Sequence, residues 1–383
     1  MIMERFEKKI YLASPYIHQE ERIYVKDAFD SNWMSTIGEN LTKLEAGICN
    51  YLGCKASLAL SSGTAALHLA VKLANVHPGD IVLCSDMTFA ATVNPVSYEK
   101  GIQVFVDSET DTWNMSPEAL ESALKKYEGK TKAVIVAHLY GTPAQLDRIA
   151  TLCDNYGVIL IEDAAESLSA TYDGQQTGTF GKYGIISFNG NKIITGTSGG
   201  MLFSDDIEDI NHARFWSTQA RDEAPWYQHS ELGYNYRMSN LIAGVARGQL
   251  LHLEEHRQAK KQIYERYEKG LKDLPIKMNP YLKRSEPNFW LSCMTINDEA
   301  FGDETKGVTP EKIRLELEKY NVESRPIWKP MHMQPFYENQ DYIYVEERSV
   351  SEDIFARGIC LPSDLNMTEE QQDIVIDIIK GCF

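Results

Sequence analysis

The stretch "VILIEDAAE" at residues 158–166 decides the fold class, because an unbroken apolar run leads directly into acidic residues. A continuous apolar run of this length is typical of a parallel strand that is covered on both faces. The stretch "KAVIVAHLYG" at residues 132–141 has the same character. Together they predict two central strands of one buried, mostly parallel sheet.

Strand-like runs alternate with helical patterns as far as about residue 245. The runs "ASLAL" at 56–60, "DIVLCS" at 80–85 and "QVFVD" at 103–107 each precede a helical pattern. One helix is expected to begin in "SPEALESALKKYE", with Ser116 as N-cap and Pro117 as its first residue. This alternation predicts an α/β domain.

The pattern changes near Ser239, where a long amphipathic segment runs to about residue 271. We expect one continuous helix here, which links two domains. The predicted division is a large α/β domain at residues 1–245, including the N-terminal segment, and a linker helix with a small C-terminal α+β domain at residues 246–383.

The charge balance restricts the partners of the protein. The chain has 38 Lys and Arg residues against 55 Asp and Glu residues, a net charge of −17, which argues against nucleic acid or an anionic membrane as the main partner. No apolar run reaches the length of a membrane span, and the N-terminal segment lacks the apolar core of a signal peptide. The seven cysteines lie mostly in apolar runs, which is typical of reduced thiols. We therefore expect a cytoplasmic protein without membrane insertion.

A candidate phosphate site lies in "SSGTAALHLA" at residues 61–70, where Gly63 marks the change from strand to helix. The first N–H groups of that helix and the Thr64 hydroxyl would form an anion site, strengthened by the helix dipole. An ordinary helix N-cap is the alternative. The glycine-rich patterns of dinucleotide and P-loop sites do not occur in this chain.

A carboxylate and a lysine are the candidate reactive groups. Asp163 follows an apolar strand and should lie at its C-terminal end, where open α/β sheets bind ligands; capping the next helix is the alternative. Lys192 lies in "SFNGNKIITGTSGG" at 187–200, between apolar and glycine-rich residues. A lysine in a partly dry pocket forms a Schiff base with an aldehyde, whereas most lysines lie on the surface. Ser187 and Asn189 can donate to a phosphate.

A phosphate cradle, a strand-end acid and a pocket lysine together indicate a site for pyridoxal 5′-phosphate (PLP). Phe89 can stack on the ring, although core packing is the more common role of phenylalanine.

The stretch "HLEEH" at residues 252–256 matches a zinc motif of the form H-x-x-E-H. Because it lies in a charge-rich stretch, we favour a solvated helix face and expect no metal site.

With these residues in place, the chain resembles the PLP-dependent aminotransferases of nucleotide-linked keto-sugars, the DegT/StrS-like group of fold type I. The resemblance extends over nearly the whole chain. It is carried by "STIGENLTKLE", "SSGTAALHLA", "IEDAAES", "SFNGNKIITGTSGGML", "GYNYRMSN", "SRPIWKPMHMQP" and "GICLPS", in that order. Within the group the chain is most similar to the 4-aminotransferases of the bacillosamine pathway. The implied fold has a large mostly parallel-sheet domain and a small C-terminal α+β domain.

The resemblance implies roles for individual positions. Lys192 corresponds to the lysine that carries the cofactor, Asp163 to the carboxylate at the pyridine nitrogen and Glu166 to the side chain near the ring hydroxyl. Asn235 corresponds to an asparagine that reaches the cofactor of the other subunit, which implies a homodimer with shared active sites. The other implied cofactor contacts are Gly63, Thr64, Ala65, Phe89, Ser187 and Asn189.

The implied reaction moves an amino group from L-glutamate through PLP to C4 of a nucleotide-linked 4-keto-6-deoxy sugar, with UDP-2-acetamido-4-keto-2,6-dideoxyhexose as the leading substrate in bacterial glycan synthesis. Dehydratases of the family have histidine in place of the lysine, so Lys192 favours transamination. A PLP-dependent sugar dehydratase, a 3-aminotransferase and a non-catalytic PLP-binding regulator are the alternatives.

The pyrophosphate of such a substrate requires a local cationic groove on this acidic protein. Each candidate could instead be a surface charge or part of a structural ion pair. The proline-flanked segment "SRPIWKPMH" at residues 324–332 indicates a rigid loop over a site, so we favour Arg325 and His332 among the candidates. The candidates are Arg221, Arg237, Arg325, Trp328, Lys329 and His332.

Overall fold

Strands and helices alternate through the first part of the chain, and shorter elements follow. The computed structural model describes residues 4–302 and 307–383. The α-helices are α1 (Glu20–Asp30), α2 (Glu39–Leu52), α3 (Gly63–Leu73), α4 (Ala90–Tyr98), α5 (Pro117–Lys126), α6 (Leu146–Tyr156), α7 (Ile207–Ser217), α8 (Asn240–Leu250), α9 (Leu253–Leu271), α10 (Pro310–Lys319), α11 (Val350–Arg357) and α12 (Glu369–Lys380). The strands are β1 (Ala56–Leu60), β2 (Ile81–Ser85), β3 (Ile102–Val106), β4 (Thr131–Ala137), β5 (Ile159–Asp163), β6 (Thr171–Tyr172), β7 (Gln175–Gln176), β8 (Tyr183–Ser187), β9 (Gly200–Ser204), β10 (Ile276–Met278), β11 (Ser285–Glu286), β12 (Ser292–Ile296), β13 (Arg325–Pro326), β14 (Tyr342–Ile343) and β15 (Gly358–Leu361). Within the described residues, none of these helices combines the length and apolarity that crossing a bilayer requires.

The central sheet has the strand order β1-β9-β8-β5-β4-β2-β3-β14. Neighbouring strands from β8 to β14 are parallel, whereas β9 runs antiparallel to both of its neighbours. Strands β4 and β5 lie in the middle of the sheet and are buried along most of their length. The predicted α/β class with a large, mostly parallel sheet is confirmed.

Alternate residues of β4 enter two different apolar clusters, one on each face of the sheet. Ala133 and Ile135 join the cluster that α3 and α7 cover, while Val134 and Val136 join the cluster under α5 and α6. Helix α5 begins as expected, because the Ser116 hydroxyl accepts a hydrogen bond from an N–H of its first turn. Helices on both faces leave the strand ends free at the edges of the sheet.

A smaller antiparallel sheet, in the order β10-β12-β15-β13, forms the centre of the C-terminal part. Side chains of α9, α10 and α12 share one apolar cluster with these strands. A further short sheet joins β11 to β6 and β7. This arrangement is the α+β architecture that the sequence predicts for the C-terminal part.

The long helix expected from Ser239 is two helices, α8 and α9, which are separated at Leu251 and His252. Helix α8 packs closely on α1, and a Cβ atom at Gly248 would lie 2.6 Å from the backbone nitrogen of Glu21. The Gln249 amide also donates to Tyr16 O at 2.7 Å. These contacts hold α8 against α1 and the segment before it, and the predicted boundary at residue 245 falls inside α8.

Both ends of the chain cross between the two parts. The Ile10 N–H donates to Asn321 O at 3.0 Å, and the Glu323 N–H donates to Ile10 O at 2.8 Å, so the N-terminal segment pairs with the C-terminal part. In the opposite direction, β14 from the C-terminal part adds a parallel strand to β3 of the large sheet. Residues near Ile10 therefore contact the C-terminal part, and the division of the chain into two domains stays a prediction.

Candidate active site

A cavity of about 260 Å³ lies at the C-terminal ends of β1, β2, β5 and β8. Open α/β sheets bind ligands at this edge. The predicted residues among its lining are Gly63, Thr64, Phe89, Asp163, Glu166, Ser187, Asn189, Lys192 and Trp328. The strand ends thus bring together residues that are widely separated in the chain.

The start of α3 and the end of β8 form one side of this cavity. Ser62 caps the helix, because its hydroxyl accepts a hydrogen bond from the Ala65 N–H at 3.1 Å. A Cβ atom at Gly200 would lie 2.4 Å from the Gly63 nitrogen, so glycine is needed for this approach of β9 to the helix start. The Thr64 hydroxyl and the Ser187 hydroxyl then line a helix N-terminus that favours an anion.

Asp163 ends β5, and two hydrogen bonds fix its carboxylate in the cavity. Oδ2 accepts a bond from the Thr92 hydroxyl at 2.6 Å, and Oδ1 accepts one from the Ala165 N–H at 3.1 Å. The Thr92 hydroxyl is itself 2.6 Å from the Thr88 hydroxyl. Since the carboxylate is only 7% exposed, these partners stabilise its charge and set its direction.

The Lys192 ammonium lies between an acid and an aromatic ring. Its Nζ atom is 3.5 Å from Glu166 Oε1 and 4.1 Å from the centre of the Trp290 ring. The Trp290 indole N–H donates to Asn191 O at 2.6 Å, which ties this ring to the Lys192 segment. With a side chain only 13% exposed, Lys192 occupies the partly dry environment that nucleophilic lysines require.

Glu166 is buried beside Lys192 and has an altered acidity. Burial raises the pKa of Glu166 to about 7, although the Lys192 charge and the Tyr140 N–H act to lower it. The Tyr140 N–H donates to Glu166 Oε2 at 2.7 Å from a left-handed backbone conformation with φ of 54°. Left-handed backbone is uncommon for tyrosine and is typical of functional sites.

These residues fit PLP. The helix N-terminus with its hydroxyl groups suits a phosphate, Asp163 suits a protonated pyridine nitrogen and Lys192 suits an aldehyde. When bound, the cofactor supplies the aldehyde that accepts an amino group and a ring that stores electrons. The cavity is near the lower limit of the roughly 300–1,000 Å³ of typical ligand pockets, which suits a one-ring ligand.

Several predicted cofactor and substrate residues lie outside this cavity, among them Ala65, Asn235 and Arg237. The Ala65 N–H is already bonded to Ser62, and Ala65 is not part of the lining. Asn235 is exposed and pairs with Thr218 in a short antiparallel bridge. Arg237 donates to Glu45 Oε1 and to Ala59 O, each at 3.0 Å, which is a structural ion pair beneath β1.

The remaining predicted substrate residues are scattered. Arg221 is exposed next to Tyr227, and Arg325 pairs with Glu323 in a separate cavity. Trp328 and Lys329 line a more open cleft of about 580 Å³, which shares Phe89 and Trp328 with the PLP cavity. The single chain therefore brings Trp328 and Lys329 to the site and does not bring Arg221 or Arg325 there.

His332 contacts acids instead of facing the cavity. Its Nδ1 atom lies 2.8 Å from Asp86 Oδ2 and its Nε2 atom 3.1 Å from Glu352 Oε1. Burial would lower the pKa of His332, but the hydrogen bonds to both acids outweigh it and raise the pKa above its ordinary value. His332 thereby anchors residues 327–334 to the end of β2.

Sequence reasoning missed Thr92, Tyr140 and Trp290. Thr92 could have been found, because it lies one helical turn after Thr88 in the stretch that contains Phe89. Tyr140 and Trp290 carry no local signal, since their roles depend on a backbone conformation and on a contact from the C-terminal part.

The "HLEEH" stretch is only in part a solvated face. Glu254 and Glu255 are exposed, but His256 is 3% exposed and its Nδ1 atom lies 2.9 Å from Ile193 O. The solvated interpretation is wrong for His256, because α9 packs this side chain against the Lys192 segment.

Fold and site together define a PLP-dependent aminotransferase of fold type I. Residues 15–380 match the model of the DegT/DnrJ/EryC1/StrS aminotransferase family. The chain belongs to this family and is a PLP-dependent sugar aminotransferase. This membership argues against a non-catalytic regulator.

Similar proteins agree with this assignment. The chain is 47% identical over 381 residues to EpsN of Bacillus subtilis (strain 168), assigned as a pyridoxal phosphate-dependent aminotransferase; the match covers 98% of this chain and 96% of EpsN. It is 31% identical to the GDP-perosamine synthase of Caulobacter vibrioides, over 96% of each chain. The crystal structure of a DegT DnrJ EryC1 StrS aminotransferase from Brucella abortus superposes with a TM-score of 0.85 at 26% identity, over 94% of this chain and 95% of that one. The crystal structure of DesI with its TDP-sugar product superposes with a TM-score of 0.89 at 23% identity, over 99% and 94%, which shows a shared fold.

Proposed function

We propose that the protein transfers the amino group of L-glutamate to C4 of a nucleotide-linked 4-keto-6-deoxy sugar, with UDP-2-acetamido-4-keto-2,6-dideoxyhexose as the leading substrate. The observation that carries this proposal is the position of Lys192, 3.5 Å from buried Glu166 and in one cavity with Asp163. A family that aminates sugars supports the substrate class.

Lys192 and Asp163 divide the work of this reaction. The Lys192 amine, once free, takes the α-proton of the amino acid donor, and the Trp290 ring limits the water around it. Asp163 holds a negative charge at the end of β5, where it would stabilise the protonated pyridine nitrogen of the bound cofactor. Glu166 accepts or donates a proton near neutral pH, because its pKa is about 7.

The open cleft supports a large, partly aromatic substrate. It adjoins the PLP cavity through Phe89 and Trp328, and Phe336 adds a further exposed ring. A sugar that reaches Lys192 leaves its nucleotide outside the smaller cavity, and rings such as these stack on a base. Lys329, at the same cleft, supplies a cation for the pyrophosphate.

A homodimer with shared active sites is part of the proposal. Asn235 follows a stretch of chain with exposed apolar side chains, among them Trp226, Tyr227 and Leu232, which are 66%, 81% and 72% exposed. Exposed apolar side chains in such number are typical of interaction sites. In such a dimer, Asn235 would contact the cofactor phosphate of the partner subunit. Asn235→Ala should then form dimers as the parent enzyme does and bind the cofactor more weakly.

The test is a substrate panel. UDP-, GDP- and dTDP-linked 4-keto-6-deoxy sugars are each incubated with L-glutamate and the purified enzyme, and products are measured by mass spectrometry and NMR. We expect a 4-amino sugar and an equal amount of 2-oxoglutarate, with UDP preferred. The GDP arm is needed because GDP-perosamine synthases are among the relatives. A dehydrated sugar without 2-oxoglutarate, or amination at C3, would contradict the proposal.

A further inference from the structure

Three histidines and a glutamate meet where the N-terminal segment crosses the start of α9. His18 precedes α1, and His252, Glu255 and His256 belong to the "HLEEH" stretch. The His18 and His256 Nε2 atoms are 2.9 Å apart. Ligand atoms of His18, His252 and Glu255 lie within 4.8 Å of one another. We call these four residues the histidine cluster.

The tautomer of His256 leaves a lone pair inside the cluster. Its Nδ1 atom faces Ile193 O at 2.9 Å, and a carbonyl oxygen only accepts, so Nδ1 carries the proton. Nε2 of the neutral ring is then unprotonated and points at His18. Metal-binding histidines commonly donate their other ring N–H to a backbone carbonyl in this way.

His252 has a different role from the other two histidines. Its ring stacks face to face on His18, with centres 3.5 Å apart and planes 2° apart, so its nitrogens do not point to the same centre. Instead, His252 Nδ1 lies 3.1 Å from Glu255 Oε2 and Nε2 lies 3.1 Å from Glu20 Oε2. His252 therefore orients the Glu255 carboxylate beside His18.

We propose that His18 Nε2 and His256 Nε2, which are 2.9 Å apart, bind one divalent transition-metal ion, such as Zn²⁺ or Co²⁺, and that the exposed Glu255 side chain, which lies beside His18, turns to supply a third ligand. Two imidazoles and a carboxylate are a common zinc ligand set, with water completing a tetrahedron. Two nitrogens on one such ion lie roughly 3.3 Å apart, so the His18 and His256 rings need only a small outward shift as the ion replaces their shared proton. Exposed Glu255 and half-buried His18 give the ion a path from solvent.

The bound ion would join three parts of the chain near the active site. His18 belongs to the N-terminal segment, Glu255 to α9, and His256 contacts Ile193, the residue that follows Lys192. The site is thus a structural cross-link that holds the Lys192 segment, and it does not take part in the transamination itself.

Cobalt binding tests the site directly. Tag-free enzyme with its cofactor is titrated with Co²⁺ alone, followed by visible d–d absorption and by metal analysis after dialysis. We expect one Co²⁺ per chain, displaced by Zn²⁺. His18→Ala and Glu255→Gln, both at solvent-reachable positions, should each weaken binding at least about tenfold. The thermal midpoint should rise with Zn²⁺ in the parent enzyme and not in His18→Ala.

His77→Ala and His212→Ala are the matched controls, because both histidines are exposed and lie outside the cluster. They should bind Co²⁺ as the parent enzyme does. Binding of equal strength in His18→Ala, loss of binding in the control variants, or less than one ion per chain would each overturn the proposal. All these measurements are independent of the sugar substrate.

Discussion

The floor and the outer wall of the active-site cavity are built in different ways. The floor consists of strand ends and one helix start, where Asp163 and Ser187 project from a sheet that is buried on both faces. The wall consists of residues 327–334, which have little regular structure and are anchored by His332 to Asp86. The floor is fixed by the core, whereas the wall is fixed by a few long-range polar contacts.

This difference assigns separate tasks to the two regions. A catalytic side chain needs a rigid support, because a small displacement of that side chain from the reacting atoms slows the chemical step. A substrate contact tolerates more adjustment, since it mainly sets binding. Substitutions in the floor should therefore act on kcat, and substitutions in the wall should act on KM.

The largest effect is expected at Lys192, on the segment that follows β8 at the edge of the floor. Lys192→Ala should reduce turnover by about 10⁴-fold or more, because no other lysine of the described residues lines this cavity. Steady-state release of 2-oxoglutarate measures it, and borohydride should fix the cofactor on Lys192 in the parent enzyme. Lys182→Ala, an exposed lysine, is the control. Labelling of another lysine would refute the assignment.

Asp163→Asn should reduce kcat by about 10²- to 10⁴-fold while the cofactor stays bound, because it removes the charge that would stabilise a protonated pyridine nitrogen. Thr92→Val keeps the carboxylate and removes one of its hydrogen bonds, so a smaller loss of about tenfold is expected. Kinetics and the cofactor absorption spectrum measure both. Equal losses in the two variants would mean that orientation, not charge, is decisive.

The stability of the cofactor-free protein should depend on Glu166 between pH 5 and 8. Its pKa of about 7 in the folded protein is above the ordinary value of 4.5. Its contribution to stability is therefore fully present below pH 4.5 and is lost as pH rises through 7, by up to about 3 kcal/mol. Glu166→Gln should remove this loss. Thermal unfolding of both proteins at each pH measures it, and parallel curves would contradict the assignment.

The smallest effect is expected in the wall. His332→Asn should loosen residues 327–334 and raise KM for the sugar about 3- to 10-fold, with kcat within about twofold. The reason is that His332 contacts Asp86 and Glu352 and does not line the cavity. Full kinetics with varied sugar measure it. A fall in kcat at unchanged KM would make the wall part of the chemical machinery.

The same division explains which features were predictable from sequence. The floor residues lie in short motifs whose local structure fixes their direction: a strand ends at Asp163, and a helix begins at Gly63. The arginine candidates do not line the cavity. The position of a charged side chain depends on tertiary contacts that the local sequence does not show, such as the ion pair of Arg237 with Glu45. The break between α8 and α9 at Leu251 and His252 also escaped prediction, since the amphipathic pattern continues through it.

Strand β14 makes the two parts of the chain depend on each other for solubility. It covers β3, whose sequence "IQVFV" is strongly apolar, and Tyr342 of β14 stacks on His332 with ring centres 3.8 Å apart. A fragment that ended before residue 340 would present β3 as an open edge, and such edges pair with other chains and aggregate. Expression of the N-terminal part alone should therefore give insoluble material, and co-expression with the missing C-terminal fragment should restore it to solution.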